Sequence, residues 1–128
     1  MDGRIVLVVD DDPQLRGLVA RAITSSGYQV LTAGDGEEAL ALASTLDGQL
    51  GLVVTDIRMP VMDGVALAAR LAGSHPRLPI LFISGYATVA QTVSLPGPLL
   101  PKPFTHDQLL HHVRQMLDAT DSASRPRH

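Results

Sequence analysis

A chain of 128 residues with a formal charge of −3 has the size of one domain, which excludes two independent cores. Its 45% hydrophobic and 18% charged residues indicate a packed globule and exclude a disordered chain. The sequence has no cysteine and no signal-peptide pattern, so we expect a cytoplasmic protein. No apolar run is long enough to span a membrane, and few aromatic residues and no basic patch are present, so we expect neither membrane nor nucleic-acid binding.

Five short apolar or β-branched runs, each bounded by turn residues, predict strands. They are Ile5–Val9, Gln29–Thr32, Leu52–Thr55, Ile80–Ile83 and a weaker run at Leu99–Leu100. Most of them lack a polar face, which predicts strands that are buried on both sides.

Helical patterns lie between these strands. The predicted helices are Pro13–Ser26 ending at Gly27, Asp35 to about Leu46 ending at Gly48, Val65–Leu71 ending at Gly73, and a last helix from Thr105 to about Asp118. Asp12 is predicted to cap the first helix, and Thr105 with Gln108 form a capping box at the last. Between Ala87 and Leu95 there is room for at most about two helical turns.

Strands that alternate with helices imply parallel pairing and right-handed crossovers. The predicted fold is therefore α/β: a doubly wound (βα)5 arrangement on a five-stranded parallel sheet, with the fourth helix shortened. We expect residues 1–118 to form this domain and residues 119–128 to be a disordered tail or a truncated linker.

Acidic residues follow two of the strands. Asp10, Asp11 and Asp12 come after the first strand, and Asp56 ends the third. Because ligands bind at the carboxyl ends of parallel strands, these carboxylates are expected to converge. Their mutual repulsion favours a divalent cation, and hard oxygen ligands suit Mg²⁺. Asp12 is expected to cap the helix and not to bind the metal.

The fourth and fifth strands add a hydroxyl and an ammonium group at the same edge. Ser84 ends the fourth strand, and Lys102 follows the fifth. Carboxylates, a cation, a hydroxyl and a lysine together are suited to phosphoryl transfer. An aspartate in such a site can itself accept the phosphoryl group.

Four motifs in this order resemble the receiver domain of two-component response regulators. They are Val8-Val9-Asp10-Asp11-Asp12, Thr55-Asp56-Ile57-Arg58-Met59-Pro60-Val61-Met62-Asp63-Gly64, Ser84-Gly85 and Lys102-Pro103-Phe104. The resemblance spans about Arg4 to Leu117 and implies a chemotaxis-regulator-like, flavodoxin-like fold.

The resemblance also implies a role for each site residue. Asp56 would accept a phosphoryl group from a phosphohistidine on a histidine kinase or a histidine phosphotransfer domain. Asp11, Asp56 and the Arg58 backbone carbonyl would bind Mg²⁺, with Asp10 acting through a metal-bound water. Lys102 and Ser84 would contact the phosphoryl oxygens and pass the change to a downstream output protein or domain. The Lys102–Pro103 peptide would be cis.

Two features depart from the family pattern and leave alternatives open. Leu99 stands three residues before Lys102, where receivers usually have an aromatic residue, and the stretch from Ser84 to Lys102 is short. A protein-interaction module that no longer responds to phosphate is therefore the second hypothesis. A phosphatase with an aspartyl-phosphate intermediate ranks third, because Arg58 occupies the position where a second acid would be needed. We expect no enzymatic activity beyond self-phosphorylation and self-dephosphorylation.

Overall fold

The computed structural model describes residues 5–46, 48–85 and 95–124, with side chains described up to residue 118. Five strands and four helices lie within these residues. The strands are β1 Ile5–Val9, β2 Gln29–Ala33, β3 Leu50–Asp56, β4 Ile80–Ser84 and β5 Leu99–Pro101. The helices are α1 Pro13–Thr24, α2 Gly36–Thr45, α3 Gly64–Ser74 and α4 His106–Ser124.

The five strands form one parallel sheet in the order β2-β1-β3-β4-β5. The chain moves outward from β1 in one direction to β2 and in the other to β3, so helices cover both faces. This confirms the predicted doubly wound α/β sheet. Val9 pairs with Thr55, and Ser84 pairs with Pro101, so the carboxyl ends of the central strands lie at one edge.

Two apolar clusters, one on each face, form the core. On one face, α2 and α3 pack with residues that include Ala39, Ala43, Leu67 and Leu71. On the other face, α1 and α4 pack with residues that include Val19, Ile23, Leu109 and Val113. The central strands β1, β3 and β4 are buried along their whole length, which explains their continuous apolar runs.

Most strands were predicted to be buried on both sides, and β2 is an exception. Of its five residues only Ala33 is fully buried, and Leu31 is 36% exposed. β2 is an edge strand, and its sequence resembles that of a central strand because β-branched residues suit both positions. In α1, helical spacing predicts Leu18 on the same apolar stripe as Val19 and Ile23, but this prediction is wrong, because Leu18 is 62% exposed.

The helix starts follow their predicted caps. The Asp12 carboxylate accepts the Gln14 backbone N–H at 3.0 Å, and Asp35 caps α2 by accepting the Glu38 N–H at 2.7 Å. Before α4, Thr105 and Gln108 exchange two hydrogen bonds at 2.9 and 3.0 Å, which confirms the predicted capping box.

Two predicted helix ends are wrong. Helix α3 continues through Gly73 to Ser74, because Gly73 keeps a helical backbone and Pro76 follows only after the His75 cap. Helix α4 continues to Ser124 instead of ending near Asp118, since no glycine or proline interrupts it there. The division at residue 118 stays a prediction, and the short helix expected at 87–95 falls outside the described residues except for Leu95. No helix in the described part of the chain is long and apolar enough to cross a membrane.

Candidate functional site

The carboxyl edge of the sheet brings the predicted site residues together from four strands. Asp10 directly follows β1, Asp56 ends β3, Ser84 ends β4 and Lys102 directly follows β5. Because neighbouring strands run in parallel, residues far apart in sequence end at the same edge. The structure therefore groups these polar side chains around Asp56.

Three carboxylates at this edge form an acidic cluster. Asp10, Asp11 and Asp56 each place a carboxylate oxygen within 4.8 Å of the others. Asp10 is only 3% exposed, whereas Asp11 is exposed and opens the cluster to solvent. Oxygen ligands that converge at this spacing, with one side open, fit a Mg²⁺ ion that keeps several waters.

Burial makes Asp10 an unusual carboxyl group. The pKa of Asp10 is raised from 3.8 to about 6, mainly by burial and further by the negative charges of Asp56 and Asp11. A hydrogen bond from the Asp12 backbone N–H to Oδ1, 2.9 Å long, and the positive charge of Lys102 act in the opposite direction. A cation bound at this cluster would stabilise the ionised form.

Lys102 extends its side chain toward the phosphoacceptor candidate. Its Nζ lies 3.4 Å from the Asp56 Oδ2, with 31% of the Lys102 side chain and 11% of the Asp56 side chain exposed. The Lys102 backbone N–H donates to the Ser84 carbonyl at 2.8 Å, which anchors the end of β5 to the end of β4. The Lys102–Pro103 peptide is cis, as predicted.

Ser84 and Arg58 lie at the same edge. The buried Ser84 hydroxyl donates to the Gly85 carbonyl at 3.0 Å. The Arg58 backbone N–H donates to the Asp56 Oδ1 at 3.3 Å, while its side chain is exposed. A contact of Ser84 with phosphate and a metal bond from the Arg58 carbonyl stay predictions.

The loop that follows Asp56 is held by features that sequence reasoning missed. Gly64 donates its N–H to the Ile57 carbonyl at 2.7 Å, and a Cβ at Gly64 would lie 2.3 Å from the Asp56 backbone oxygen. Asp63 caps α3 by accepting the Ala66 N–H at 2.8 Å. An Asp that precedes a helical pattern is the signal that could have predicted this cap. Val61 has a φ of 70° and is 94% exposed.

Arg16 is a second neighbour of the site that was not predicted. Its Nη1 donates to the Asp10 backbone carbonyl at 2.9 Å. An arginine in the first turns of a helix that directly follows an acidic strand end is the only sequence signal, and it is a weak one.

Leu99, which stands at the position of the usual aromatic residue, is part of β5. It pairs with Phe82 of β4 and packs, partly buried, against the α2 and α3 face of the core. An aliphatic side chain in this packing has no ring that could move between an outward and an inward position.

The sheet order, the acidic cluster and the lysine contact together are consistent with a receiver fold. The chain matches the family "Response regulator receiver domain" over residues 6–114. It therefore belongs to the receiver domain family of two-component systems, as its motifs indicated.

Similar proteins include both kinases and regulators. Part of the sensor kinase CckA of Brucella abortus (strain 2308) is 41% identical over 120 residues, covering 91% of this chain and 13% of the kinase. The DNA-binding transcriptional regulator NtrC of Salmonella typhimurium is 35% identical over 99% of this chain, which corresponds to 28% of that regulator. This chain thus spans only a small part of either relative.

Solved structures agree in fold. The crystal structure of the receiver domain of NtrX from Brucella abortus has a TM-score of 0.82 at 34% identity, covering 88% of this chain and 98% of that domain. The receiver domain of the hybrid histidine kinase CckA has a TM-score of 0.76 at 34% identity, with the same coverage.

Proposed function

We propose that Asp56 accepts a phosphoryl group from a phosphohistidine on a histidine kinase or a histidine phosphotransfer domain. The observation that carries this proposal is the 3.4 Å contact of Lys102 Nζ with Asp56 Oδ2 beside the acidic cluster. A surface lysine without a role in the site would extend into solvent, whereas Lys102 contacts a largely buried carboxylate. Such an arrangement of a carboxylate nucleophile and a cation is suited to phosphoryl transfer.

Asp11 and Asp56 would hold a Mg²⁺ ion directly, with the Arg58 backbone carbonyl as a third protein ligand and Asp10 acting through a bound water. When bound, the ion would neutralise charge that develops on the oxygens of the phosphoryl group in transfer. The buried Asp10 would orient this water, since its carboxylate is fixed by the Asp12 N–H.

In the transfer step, an Asp56 carboxylate oxygen attacks the phosphorus of the phosphohistidine. A P–O bond forms while the P–N bond breaks, and its electron pair leaves with the imidazole, which takes a proton from solvent. Lys102 Nζ would then bind a phosphoryl oxygen in place of the carboxylate oxygen. Hydrolysis of the acyl phosphate by water returns free Asp56 and inorganic phosphate.

The phosphoryl group would be sensed by Ser84, whose hydroxyl would leave the Gly85 carbonyl and donate to the phosphoryl oxygen. The Lys102 N–H already bonds the Ser84 carbonyl, so a shift of Ser84 would be passed to β5. The output protein or domain would bind the surface that changes there. The relatives, a sensor kinase and a transcriptional regulator, support a signalling role in either context.

A phosphate-insensitive interaction module is the second candidate, and the packing of Leu99 favours it. In that case either Asp56 would not be phosphorylated, or its phosphorylation would leave the backbone amide chemical shifts of the segment from β4 to β5 unchanged. A receiver that switches would shift them.

The primary test is intact mass after incubation with a small-molecule phosphodonor, with and without Mg²⁺. Wild type should gain one phosphoryl group only with Mg²⁺, and Asp56→Asn should gain none. Asp63→Asn is the matched control, because Asp63 lies in the same loop but serves as a helix cap that asparagine can replace. Absence of phosphorylation in wild type that binds Mg²⁺ would reject the acceptor role, and repeated turnover of a phosphate ester would favour the phosphatase.

A further inference from the structure

Arg16 binds the backbone between the two acidic residues that follow β1. The carbonyl that accepts its Nη1 hydrogen bond, at 2.9 Å, belongs to the peptide group that joins Asp10 to Asp11. Because a peptide group is planar, a bond to its oxygen restrains the orientation of both residues. Arg16 thus bonds the backbone between two members of the acidic cluster, and the hydrogen bonds and ion pairs of the described residues include none from Arg16 to a carboxylate.

Other groups bond the Asp10 backbone N–H and carboxylate, whereas Arg16 bonds the Asp10 backbone carbonyl. The Asp10 N–H donates to the Ala33 carbonyl at 3.2 Å, and the Asp10 Oδ1 accepts the Asp12 N–H at 2.9 Å. Asp10 lies just beyond β1, where the sheet ladder ends. The guanidinium therefore supplies a partner to this carbonyl at the edge of the sheet.

Helix α1 sets the backbone position from which the Arg16 side chain extends. The Arg16 backbone N–H donates to the Asp12 carbonyl at 2.9 Å, which places this residue one turn into the helix. Helical side chains point back toward the helix N-terminus, which directs Arg16 toward Asp10. The planar guanidinium loses little entropy on forming this bond.

Gly34 provides the space for the guanidinium. A Cβ at Gly34 would lie 3.1 Å from Arg16 Nη1, and φ of Gly34 is outside the left-handed region. The Gly34 N–H donates to Glu38 Oε1 at 2.7 Å, which ties this loop to the first turn of α2. The absence of a side chain at Gly34 is thus explained by Arg16 and not by backbone conformation.

We infer that Arg16 is a positioning residue of the Mg²⁺ site: it holds the Asp10–Asp11 peptide in the orientation that directs both carboxylates toward Asp56. This inference rests on the proposed function, because it assumes that the acidic cluster binds the ion. Residues that orient metal ligands typically contribute about 10-fold or more to metal affinity.

Isothermal titration calorimetry with Mg²⁺ tests the inference without any phosphodonor. Arg16→Met keeps much of the apolar stem but removes the hydrogen bond, and we expect about 10-fold weaker Mg²⁺ binding. Arg16→Lys can still donate to the Asp10 carbonyl and should restore the affinity to within about threefold of wild type. Rescue by lysine separates positioning from a role in bulk packing.

Ile23→Val is the matched stability control. Ile23 is fully buried in the same helix, on the same face of the sheet, and has no contact with the acidic cluster among the described hydrogen bonds and ion pairs. Its substitution should lower the urea midpoint through loss of packing but leave Mg²⁺ affinity within about twofold. A general destabilisation would weaken binding in this variant as well.

Gly34→Ala provides an independent test that leaves Arg16 in the sequence. The added methyl group should shift the guanidinium by a few tenths of an ångström and weaken Mg²⁺ binding by about threefold in wild type, a fraction of the loss expected from removing the bond. In the Arg16→Met background it should have no further effect, since nothing remains to be displaced. Additive effects of the two substitutions would contradict the inference.

The outcomes distinguish the inference from the proposed function. Wild type that binds no Mg²⁺ would overturn both. Wild type that binds Mg²⁺, together with unchanged affinity in Arg16→Met, would overturn the role of Arg16 and leave the acidic cluster as the metal site.

Discussion

Lys102 and Asp56 are 46 residues apart in sequence, and their side chains meet with Nζ 3.4 Å from Oδ2. Asp56 ends β3, and Lys102 directly follows β5. These two strands are not neighbours, because β4 lies between them, so Lys102 reaches across the end of β4. The contact is longer than a strong charge-assisted hydrogen bond and partly exposed. A pair of this kind contributes little to stability. Under the proposed function, its role would be to present positive charge to an incoming phosphoryl group.

Lys102→Ala should therefore change the lifetime of the phosphorylated state but change the stability of the fold only slightly. We expect a free energy of unfolding within about 1 kcal/mol of wild type. Mg²⁺ affinity should stay within about threefold, because Lys102 is not a metal ligand. The phosphorylated state should be shorter-lived, as followed by intact mass after removal of the phosphodonor. Tenfold weaker Mg²⁺ binding in Lys102→Ala would contradict this assignment.

Lys102 is also the only lysine in the sequence, which provides a direct probe. Reductive ¹³C-methylation keeps the positive charge and gives one lysine side-chain signal besides that of the terminal amine. This signal should shift when wild type is phosphorylated and stay unchanged in Asp56→Asn under the same conditions. An unchanged signal in phosphorylated wild type would show that Lys102 does not contact the phosphoryl group.

The Asp10 pKa predicts a pH-dependent stability. With a folded-state pKa of about 6 against 3.8, the folded protein binds this proton more tightly than the unfolded chain. The contribution of Asp10 to stability therefore falls as pH rises from 3.8 to about 6, and the penalty persists above that range. Asp10→Asn should be more stable than wild type by roughly 1–3 kcal/mol at pH 8 in EDTA. The difference should vanish below the unfolded pKa.

Urea unfolding of both proteins across this pH range isolates the contribution of Asp10, since all other carboxyl groups are shared. The asparagine oxygen can still accept the Asp12 N–H, so the turn is preserved. Saturating Mg²⁺ should reduce the advantage of Asp10→Asn, because the cation stabilises the ionised carboxylate in wild type. A stability difference that does not depend on pH would contradict the explanation.

The strands could be predicted because turn residues in the sequence mark where each apolar run begins and ends. Ile5–Val9 and Ile80–Ile83 are apolar runs between turn residues, and both form strands at those positions. The edge position of β2 was not predictable, because it depends on which strands pair with β1. Periodicity reports local burial and does not encode strand order.

The polar side chains that meet at this edge of the sheet could be predicted from the sequence, but the residues that hold their backbone in place could not. Asp10, Asp11, Asp56 and Lys102 were predicted because each is a polar residue at a strand end. Arg16 was not, since its role depends on a side chain reaching a backbone carbonyl six residues earlier. The close packing of Gly64 against Asp56 likewise follows from the path of the loop, which no local pattern encodes.

Gly64→Ala should distort the loop that follows Asp56. The new Cβ would lie 2.3 Å from the Asp56 backbone oxygen and 3.0 Å from the Ile57 Cα, and backbone atoms cannot move aside cheaply. We expect a loss of roughly 2–3 kcal/mol in stability and slower phosphorylation of Asp56. Gly73→Ala in the same helix meets nothing within 4 Å and should gain about 0.5–1 kcal/mol. Equal effects of the two substitutions would contradict the steric explanation.

Val61→Gly should stabilise the protein. Val61 is a β-branched residue at φ 70° in the loop after Asp56, and with 94% exposure it has almost no packing to lose. Relief of about 1–2 kcal/mol of backbone strain should exceed the entropic cost of glycine, about 0.5–1 kcal/mol. Val65→Gly, in helical backbone at the start of α3, should instead lower stability by about 1 kcal/mol. Urea midpoints measure both, and a lower midpoint for Val61→Gly would show that the strained conformation does not limit stability.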